Sequence, residues 1–239
     1  MAFVKLENVS VVYRRVSKTS RLFPPVLHMG NTGMVPEFSL SNINISLKSG
    51  DRLGVLGRNG AGKTTLLKVL AGILKPINGD VLMGGSVGSL FGPVPFVNPI
   101  LSGHANTLLF AQLNNLNKNQ SHALVEKVRE FIDIGEYFLS PVHTYSAGMG
   151  ARLNFALLTA IGREILIMDE MIGAGDVFFA KKINQRLKEI YENSEIMVLA
   201  SHSNDLIREL CNVCLVLENG SITHFGEVNY CLEAYLKND

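Results

Sequence analysis

RLGVLGRNGAGKTTLLKVL, residues 52–70, decides how this chain folds. The apolar run from Leu53 to Leu56 reads as a buried strand, and the apolar-periodic segment after Lys63 reads as a helix. Between them Gly57, Arg58, Asn59, Gly60, Ala61, Gly62, Lys63 and Thr64 spell G-x-x-x-x-G-K-[ST], in the strand–loop–helix context that the motif requires. Its glycines let the backbone curl until successive N–H groups converge on one point. The helix N-terminus adds unpaired N–H groups and partial positive charge there. Lys63 is placed to reach β- and γ-phosphates, and the Thr64 hydroxyl to ligate Mg²⁺, with Thr65 counted in the same binding loop. Residue types in this pattern serve the binding of a nucleoside triphosphate.

At 239 residues the chain is long enough for one large domain or two small ones. A formal net charge of +1 gives no bulk field for holding nucleic acid, so no nucleic-acid partner is expected. No apolar run approaches the length of a membrane span. The opening M-A-F-V-K-L-E-N-V-S lacks the apolar centre of a signal peptide. A cytoplasmic product is expected, with a peripheral seat on a membrane protein left open. Cys211 and Cys214 form a C-x-x-C, the spacing of a redox pair or half a zinc site. No second pair and no suitably spaced His accompany it, so buried thiols are the expected reading, Cys231 included.

Phe3 to Tyr13 alternates as a half-buried strand does, with Val4, Leu6, Val9 and Val11 on the core side and one shift of register. Arg14 to Pro36 is basic and rich in Pro, Gly and Ser, which argues for a loop or short hairpin. A second strand is expected at Ile43–Leu47, then a turn at Ser49–Asp51. Past the Lys63 helix, Pro76–Gly79 reads as a turn, and Asp80–Met83 and Val87–Phe91 as strands. From Gly92 the stretch G-P-V-P-F-V-N-P interrupts regular structure. Helical patterns follow at Ser102–Leu113 and around Leu124, Val128, Phe131 and Ile132, which share one face. A mostly helical insertion from about 93 to 163 is therefore expected inside an α/β core. That core resumes with strand Ile165–Met168, helix Val177–Tyr191, strand Ile196–Ala200, helix Asn204–Leu210 and strand Val213–Leu217. Asn219-Gly220 is a type I′ hairpin signal leading into Ser221–Phe225. Alternating strands and helices imply a mostly parallel sheet with covered faces.

Asp169 and Glu170 close the buried strand about a hundred residues after the phosphate loop. In that position Asp169 would hold Mg²⁺ and Glu170 would polarise the attacking water; two solvated acids are the plainer reading. Thr144 to Met149 precedes a helix expected to run to Ile161. Ser146 and Gly148 stand where free N–H groups and a hydroxyl converge, as an ordinary N-cap or as an anion contact. Tyr13 closes the first strand, either as a platform for adenine stacking or as a sheet-edge residue.

At these residues the chain resembles the nucleotide-binding subunits of ABC transporters, whose signature usually reads Leu-Ser-Gly-Gly-Gln. Tyr145, Ala147 and Met149 depart from it, while Ser146 and Gly148, the positions that would touch phosphate, remain. The resemblance implies an α/β fold: a P-loop NTPase core with a mostly parallel sheet, an N-terminal antiparallel β part and a helical insertion. It implies one ABC ATPase domain over 1–239, with a RecA-like core at 1–92 and 164–239 and a helical subdomain at about 93–163. The ligands it implies are ATP and Mg²⁺, with Ala147 joining Ser146 and Gly148 in nucleotide contact. Gly175-Asp176 resembles the D-loop at the dimer interface. Ser201-His202 resembles the switch histidine that contacts the γ-phosphate, so the catalytic set implied is Glu170, His202 and Lys63. The family's Gln after the strand ending near Phe91 is missing from Leu90–Phe96.

The forms taken by Gly57–Gly60, Tyr145–Leu153, Asp169–Asp176 and Glu233-Ala234-Tyr235-Leu236 resemble one branch, the ATPase subunits of bacterial polysaccharide exporters. Such a subunit would hydrolyse ATP to drive export of a lipid-linked cell-surface polysaccharide, lipopolysaccharide O-antigen first, capsule or wall teichoic acid otherwise. The resemblance further implies a separate polytopic membrane permease that carries the polysaccharide, and a peripheral seat on the cytoplasmic face of the inner membrane. Two copies would pair head to tail as a homodimer around two ATP molecules. Some O-antigen members add a C-terminal carbohydrate-binding domain, which is expected to be absent from a chain ending at Asp239. A soluble ABC ATPase without a transport role is the rival of another class; such proteins usually carry two ATPase halves or a long coiled coil. A GTP switch is a further rival, but guanine readers generally use N-K-x-D. Asn117-Lys118-Asn119-Gln120 lacks the Asp and sits between helices.

Overall fold

Strands and helices alternate along the computed structural model, which describes residues 1–16, 34–91, 97–169 and 177–237. The chain opens with strands β1 (Phe3–Val16), β2 (Met34–Lys48) and β3 (Arg52–Leu56), helix α1 (Lys63–Leu70) and strand β4 (Asn78–Gly84). Strand β5 (Val87–Leu90), helices α2 (Gly103–Leu113), α3 (Lys118–Ile132) and α4 (Ala147–Leu158), strand β6 (Ile165–Asp169) and helix α5 (Val177–Asn193) follow. Strand β7 (Ile196–Ala200), helix α6 (Asn204–Leu210), strands β8 (Val213–Glu218) and β9 (Ser221–Gly226) and helix α7 (Val228–Lys237) complete it. Two compact units result, residues 1–85 with 195–239 and residues 86–194, so β5, β6 and α5 group with the helices.

In the first unit, β1 pairs antiparallel with both β2 and β4. Val4, Leu6, Val9 and Val11 are buried as the alternation requires. The pairing with β2 shifts register at three places rather than one. Asn8 and Asn42 sit left-handed at φ 53° and 52°, and Asn42 N–H donates to the Ser10 hydroxyl at 3.0 Å. The strand also runs past Tyr13 to Val16, where Arg14, Arg15 and Val16 pair with Pro36, Val35 and Met34. The ends of the expected loop or hairpin are thus paired strand; residues 17–33 lie outside the described residues. Asn78 and Gly79, expected in a turn, already belong to β4, with Gly79 left-handed against the backbone of Glu7 and Asn8.

Beside this sheet the same unit holds β7, β3, β8 and β9 in that order, the first three parallel and β9 antiparallel to β8. Leu53, Val55 and Leu56 of β3 and all five residues of β7 are buried. Continuous rather than alternating burial is what a parallel strand with both faces covered requires. Each such Val, Leu, Ile or Met side chain contributes about 1.5–3 kcal/mol. Asn219 and Gly220 at φ 48° and 78° make the type I′ turn between β8 and β9.

The second unit pairs β5 parallel to β6. The Glu164 carboxylate, which accepts from Ser86 N–H at 2.7 Å and from its hydroxyl at 3.0 Å, ties their starts together. Leu124, Val128 and Ile132 of α3 pack with Leu153 and Leu157 of α4 and with Phe138. Asn117-Lys118-Asn119-Gln120 is a capping box: Asn117 Oδ1 accepts from Gln120 N–H at 3.0 Å, and Gln120 Oε1 accepts from Asn117 N–H at 2.9 Å. Helix geometry accounts for the tetrapeptide that superficially matched a guanine motif. Helix α4 ends at Leu158, short of the expected Ile161; the Thr159 hydroxyl instead donates to the Phe155 carbonyl at 2.8 Å.

All three cysteines are free thiols, and Cys231 donates its S–H to the Cys214 carbonyl at 3.2 Å. Among the described residues no group of three or more His, Cys, Asp and Glu could hold a metal ion. Burial pushes Cys211 up to about 12 and raises Cys214 and Cys231 as well. In the unfolded chain these thiols ionise near 8.5, so their contribution to stability is full below about pH 8.5 and is lost as pH rises toward about 12. At pH 8 the native protein should therefore react with a thiol reagent about a hundredfold or more slower than the urea-unfolded chain, since the thiolate is the reacting form. Its urea midpoint should fall between about pH 8 and about pH 10. Rapid labelling of the native protein would overturn this account of the C-x-x-C.

Candidate functional site

The phosphate loop leaves β3 at Gly57. Because Val55 pairs with Ala200 and Leu56 with Val216, the loop, Ser201-His202 and Glu218–Gly220 all emerge from the carboxyl ends of three adjacent parallel strands. Open α/β sheets bind their ligands at that end. Gly57 and Gly62 adopt φ 149° and 110°. A Cβ on Gly57 would stand 2.5 Å from the Leu217 carbonyl oxygen, and one on Gly62 would stand 2.7 Å from that of Ser39. Only glycine fits either place. Gly62 is also the N-cap of α1, so no side-chain cap competes with an anion at that helix end.

Lys63 folds back over the loop, its Nζ donating to the Gly57 carbonyl and, at 3.3 Å, to the Arg58 carbonyl. The ammonium thus already lies at the mouth of the loop. Thr64 is exposed, whereas Thr65 is buried and shares a 2.8 Å hydrogen bond with the Ser39 hydroxyl. Ala61 is buried beneath the loop, and its carbonyl accepts from Gly220 N–H at 3.0 Å. The Gly220 carbonyl in turn accepts from Ser41 N–H at 2.8 Å. Beside the loop tip, Arg58, Asn59, Glu218, Asn219 and Tyr235 border a depression of about 320 Å³. Gly60 lies at the same tip with open space around it.

Tyr13 is exposed and pairs with Glu37, two residues before the Ser39 that touches Thr65 and Gly62. The β1–β2 ladder therefore brings Tyr13 toward the loop despite the intervening residues 14–36. His202 is exposed directly after buried Ser201, whose hydroxyl accepts from Ser203 N–H at 2.9 Å.

In the second unit, Ser146 is the N-cap of α4, its hydroxyl accepting from Met149 N–H at 3.2 Å. Ser146, Ala147 and Gly148 are all exposed. A Cβ on Gly148 would meet nothing nearer than the Ser146 hydroxyl at 3.9 Å. Tyr145 instead packs inward, and its hydroxyl accepts from Gly103 N–H at 3.2 Å at the start of α2. Burial raises the phenol pKa and keeps it neutral. Asp169, half-buried, ends β6. Glu170, Asp176 and residues 92–96 lie outside the described residues.

Ser39 and the Asn219-Gly220 turn escaped the sequence reading as site residues. Each braces the loop from far along the chain, and no local pattern marks such a contact. The two glycine environments separate fold from surface. Gly57→Ala should cost about 1–3 kcal/mol of folding stability through strain and collision. Gly148→Ala should stay within about 0.5 kcal/mol of the parent. Urea unfolding of the two variants checks this, and equal losses would contradict it.

A family model described as ABC transporter matches residues 40–173. The O-antigen export system ATP-binding protein RfbE of Yersinia enterocolitica is 40% identical over 184 residues, 77% of this chain and 77% of that protein. The teichoic acids export ATP-binding protein TagH of Bacillus cereus is 31% identical over 232 residues, 97% of this chain but 42% of that protein. The chain thus spans less than half the length of TagH. A solved dimer of the ATP-binding cassette MJ0796 bound to ADP and Pi has a TM-score of 0.68 at 21% identity, covering 94% of this chain and 98% of that one. That likeness establishes the fold, and the family match extends over more than half of the chain. This chain belongs to the ABC transporter family.

Proposed function

We propose that this chain hydrolyses ATP to drive export of a lipid-linked cell-surface polysaccharide, lipopolysaccharide O-antigen first, with capsular polysaccharide or teichoic acid as the second reading. The observation that carries the ATP part is the loop itself. Gly57 and Gly62 hold a left-handed curl that no other residue fits, α1 begins without a side-chain cap, and Lys63 stands at the mouth. The O-antigen part is supported by the 40% identity to RfbE, the teichoic acid part by the 31% identity to TagH.

On this reading the backbone N–H groups of Gly57 to Thr65 cradle the phosphates, and Lys63 leaves the Gly57 and Arg58 carbonyls for the β- and γ-phosphates. Tyr13 stacks on the adenine, a contact worth about 1–3 kcal/mol. Thr64 and Asp169 would hold Mg²⁺, which when bound neutralises phosphate charge. Both side chains offer the hard oxygen donors that Mg²⁺ takes, alongside phosphate oxygens. Glu170 takes the proton of the attacking water, and His202 contacts the γ-phosphate. Ser146, Ala147 and Gly148, exposed at the start of α4, serve the nucleotide of a second copy in a head-to-tail homodimer, with Asp176 at its interface.

Glu170→Gln keeps the shape but cannot accept a proton. It should bind ATP with near-parental affinity, lose hydrolysis by about a hundredfold or more, and accumulate as an ATP-held dimer. Parental turnover in this variant would remove Glu170 from its role. Parental protein lacking ATPase activity altogether would overturn the proposal, and a soluble non-transport ABC ATPase would show activity without any effect on surface polysaccharide.

No helix among the described residues is long and apolar enough to cross a membrane, and on this reading a separate polytopic membrane subunit carries out transport, with this chain seated peripherally on the cytoplasmic face. Ile100 and Leu139 are exposed at 75% and 61%, on adjoining segments. The Leu101 carbonyl accepts from Val142 N–H at 2.9 Å, and buried Asn106 donates to the carbonyls of Asn98, Leu101 and Ser102. These apolar side chains, on a rigid support just after residues 92–96, suit a partner's apolar cytoplasmic segment. Ile100→Asp with Leu139→Asp should leave ATPase activity of the isolated chain within about twofold. The same pair should abolish cosedimentation with permease-containing membranes. Retained cosedimentation and export would show that the partner docks elsewhere.

A further inference from the structure

Helix α4 carries Ser146–Gly148 at its start, and α5 begins immediately after the stretch that holds Glu170 and Asp176. An arginine–aromatic stack joins these two helices. The Arg152 guanidinium lies 4.7 Å from the centroid of the Phe179 ring on α5, and Phe179 is only 3% exposed. The Arg152 Nη1 also donates, at 3.3 Å, to the carbonyl of Ile132, the last residue of α3. Below it, Phe131 stacks on Phe155 of α4 at 5.8 Å and meets the Phe179 edge at 5.3 Å. One planar cation therefore ties α4 to the ring of one neighbouring helix and to the negative end of another.

Filling space at Arg152 would need only a long apolar side chain. A half-buried cation is stabilised there by two things that a methionine cannot use, the electron-rich ring face and the carbonyl at a helix C-terminus. The flat guanidinium engages both at once, which a lysine ammonium on the same stem cannot do in the same geometry. Arg152 lies six residues after Ser146, within two turns of the exposed α4 start. Contacts to a reacting phosphate are sensitive to placement at about the 1 Å level. We propose that Arg152 is a positioning residue: clamped between Phe179 and the Ile132 carbonyl, it sets the angle at which Ser146 and Gly148 meet a nucleotide held by a second copy. This inference rests on the ATPase reading above.

The test uses the purified chain, with steady-state ATPase kinetics, affinity for trinitrophenyl-ATP, and urea unfolding as the control for folding. Arg152→Met and Phe179→Leu should each lower kcat about tenfold or more, while KM and nucleotide affinity stay within about twofold, since the phosphate loop is untouched. The double variant should be no slower than the slower single one, because both remove the same contact. Phe179→Tyr, which keeps the ring face, should restore turnover. A merely structural role would lower stability without this split between kcat and KM and without the tyrosine rescue. Turnover of Arg152→Met within about twofold of the parent overturns the inference, as does an equal loss of nucleotide affinity or a Phe179→Tyr as slow as Phe179→Leu. Should Arg152→Met not fold, Arg152→Gln keeps a donor for the Ile132 carbonyl and drops the cation, and carries the same expectation and the same overturning result. Parental protein without ATPase activity overturns the underlying reading and this inference with it. An active parent beside an equally active Arg152 variant overturns this inference alone.

Discussion

Two carbonyl oxygens, from Leu217 on one side and Ser39 on the other, stand where side chains on Gly57 and Gly62 would have to go. The phosphate loop is curled because its surroundings leave no other path, and glycine is what allows the chain to take it. Much of the first unit is registered on that fit. The end of β2 reaches the loop through Ser39 and Thr65, and the β8–β9 turn reaches it through the hydrogen bond from Gly220 N–H to the Ala61 carbonyl. A single such bond is worth about 1 kcal/mol net, but losing the fit exposes several buried polar groups together. A loop ordered by its neighbours before any ligand arrives also loses little further freedom on binding, which is how preorganisation favours affinity.

The second unit solves the opposite problem. The anion contact proposed here for another copy's nucleotide would have to stay open, and Ser146, Ala147 and Gly148 are exposed, with free space where a Gly148 side chain would go. Directly before them Tyr145 is turned inward. In the family's usual signature that position is apolar, and a phenol there must bury a hydroxyl. Gly103 N–H at the start of α2 satisfies it, so the departure from the family pattern is absorbed by the fold beneath the exposed turn. Within the next two turns Arg152, with Phe155, Phe131 and Phe179, joins α4 to α3 and α5.

The family relationship and the chemistry of the site draw on different observations. Similarity to RfbE covers 77% of the chain and similarity to TagH 97%, and these relatives are what support the proposed cargo. The phosphate loop carries no evident reading of a polysaccharide, since on the proposed function it binds only the nucleotide's phosphates. The apolar group around Ile100 and Leu139 is the surface proposed to meet a membrane subunit, well apart in kind from the polar phosphate loop.

Much was legible in the sequence because it depends on neighbours along the chain. G-x-x-x-x-G-K-[ST] names its own backbone shape, the apolar runs of β3, β6 and β7 announce burial on both faces, and Asn219-Gly220 has the φ values its turn needs. The lone C-x-x-C was readable as thiols rather than a redox or metal pair, with Cys214 buried as expected and Cys211 half-buried. Other features were misplaced by local reasoning. β1 runs on past Tyr13 because β2 offers it pairing partners out to Met34, and Asn78-Gly79 joins β4 because a bulge on β1 accepts it. Ser39 against Thr65, the Gly220 brace under Ala61 and the Arg152–Phe179 stack had no signature at all. Each joins residues that are close only after the chain has folded, so spacing along the sequence carries no trace of them. Local residue pattern determined what the loop is made of and which ligand it suits; tertiary packing alone decided what holds it in shape, since side-chain spacing encodes contacts a few residues apart and not those separated by a whole strand or helix.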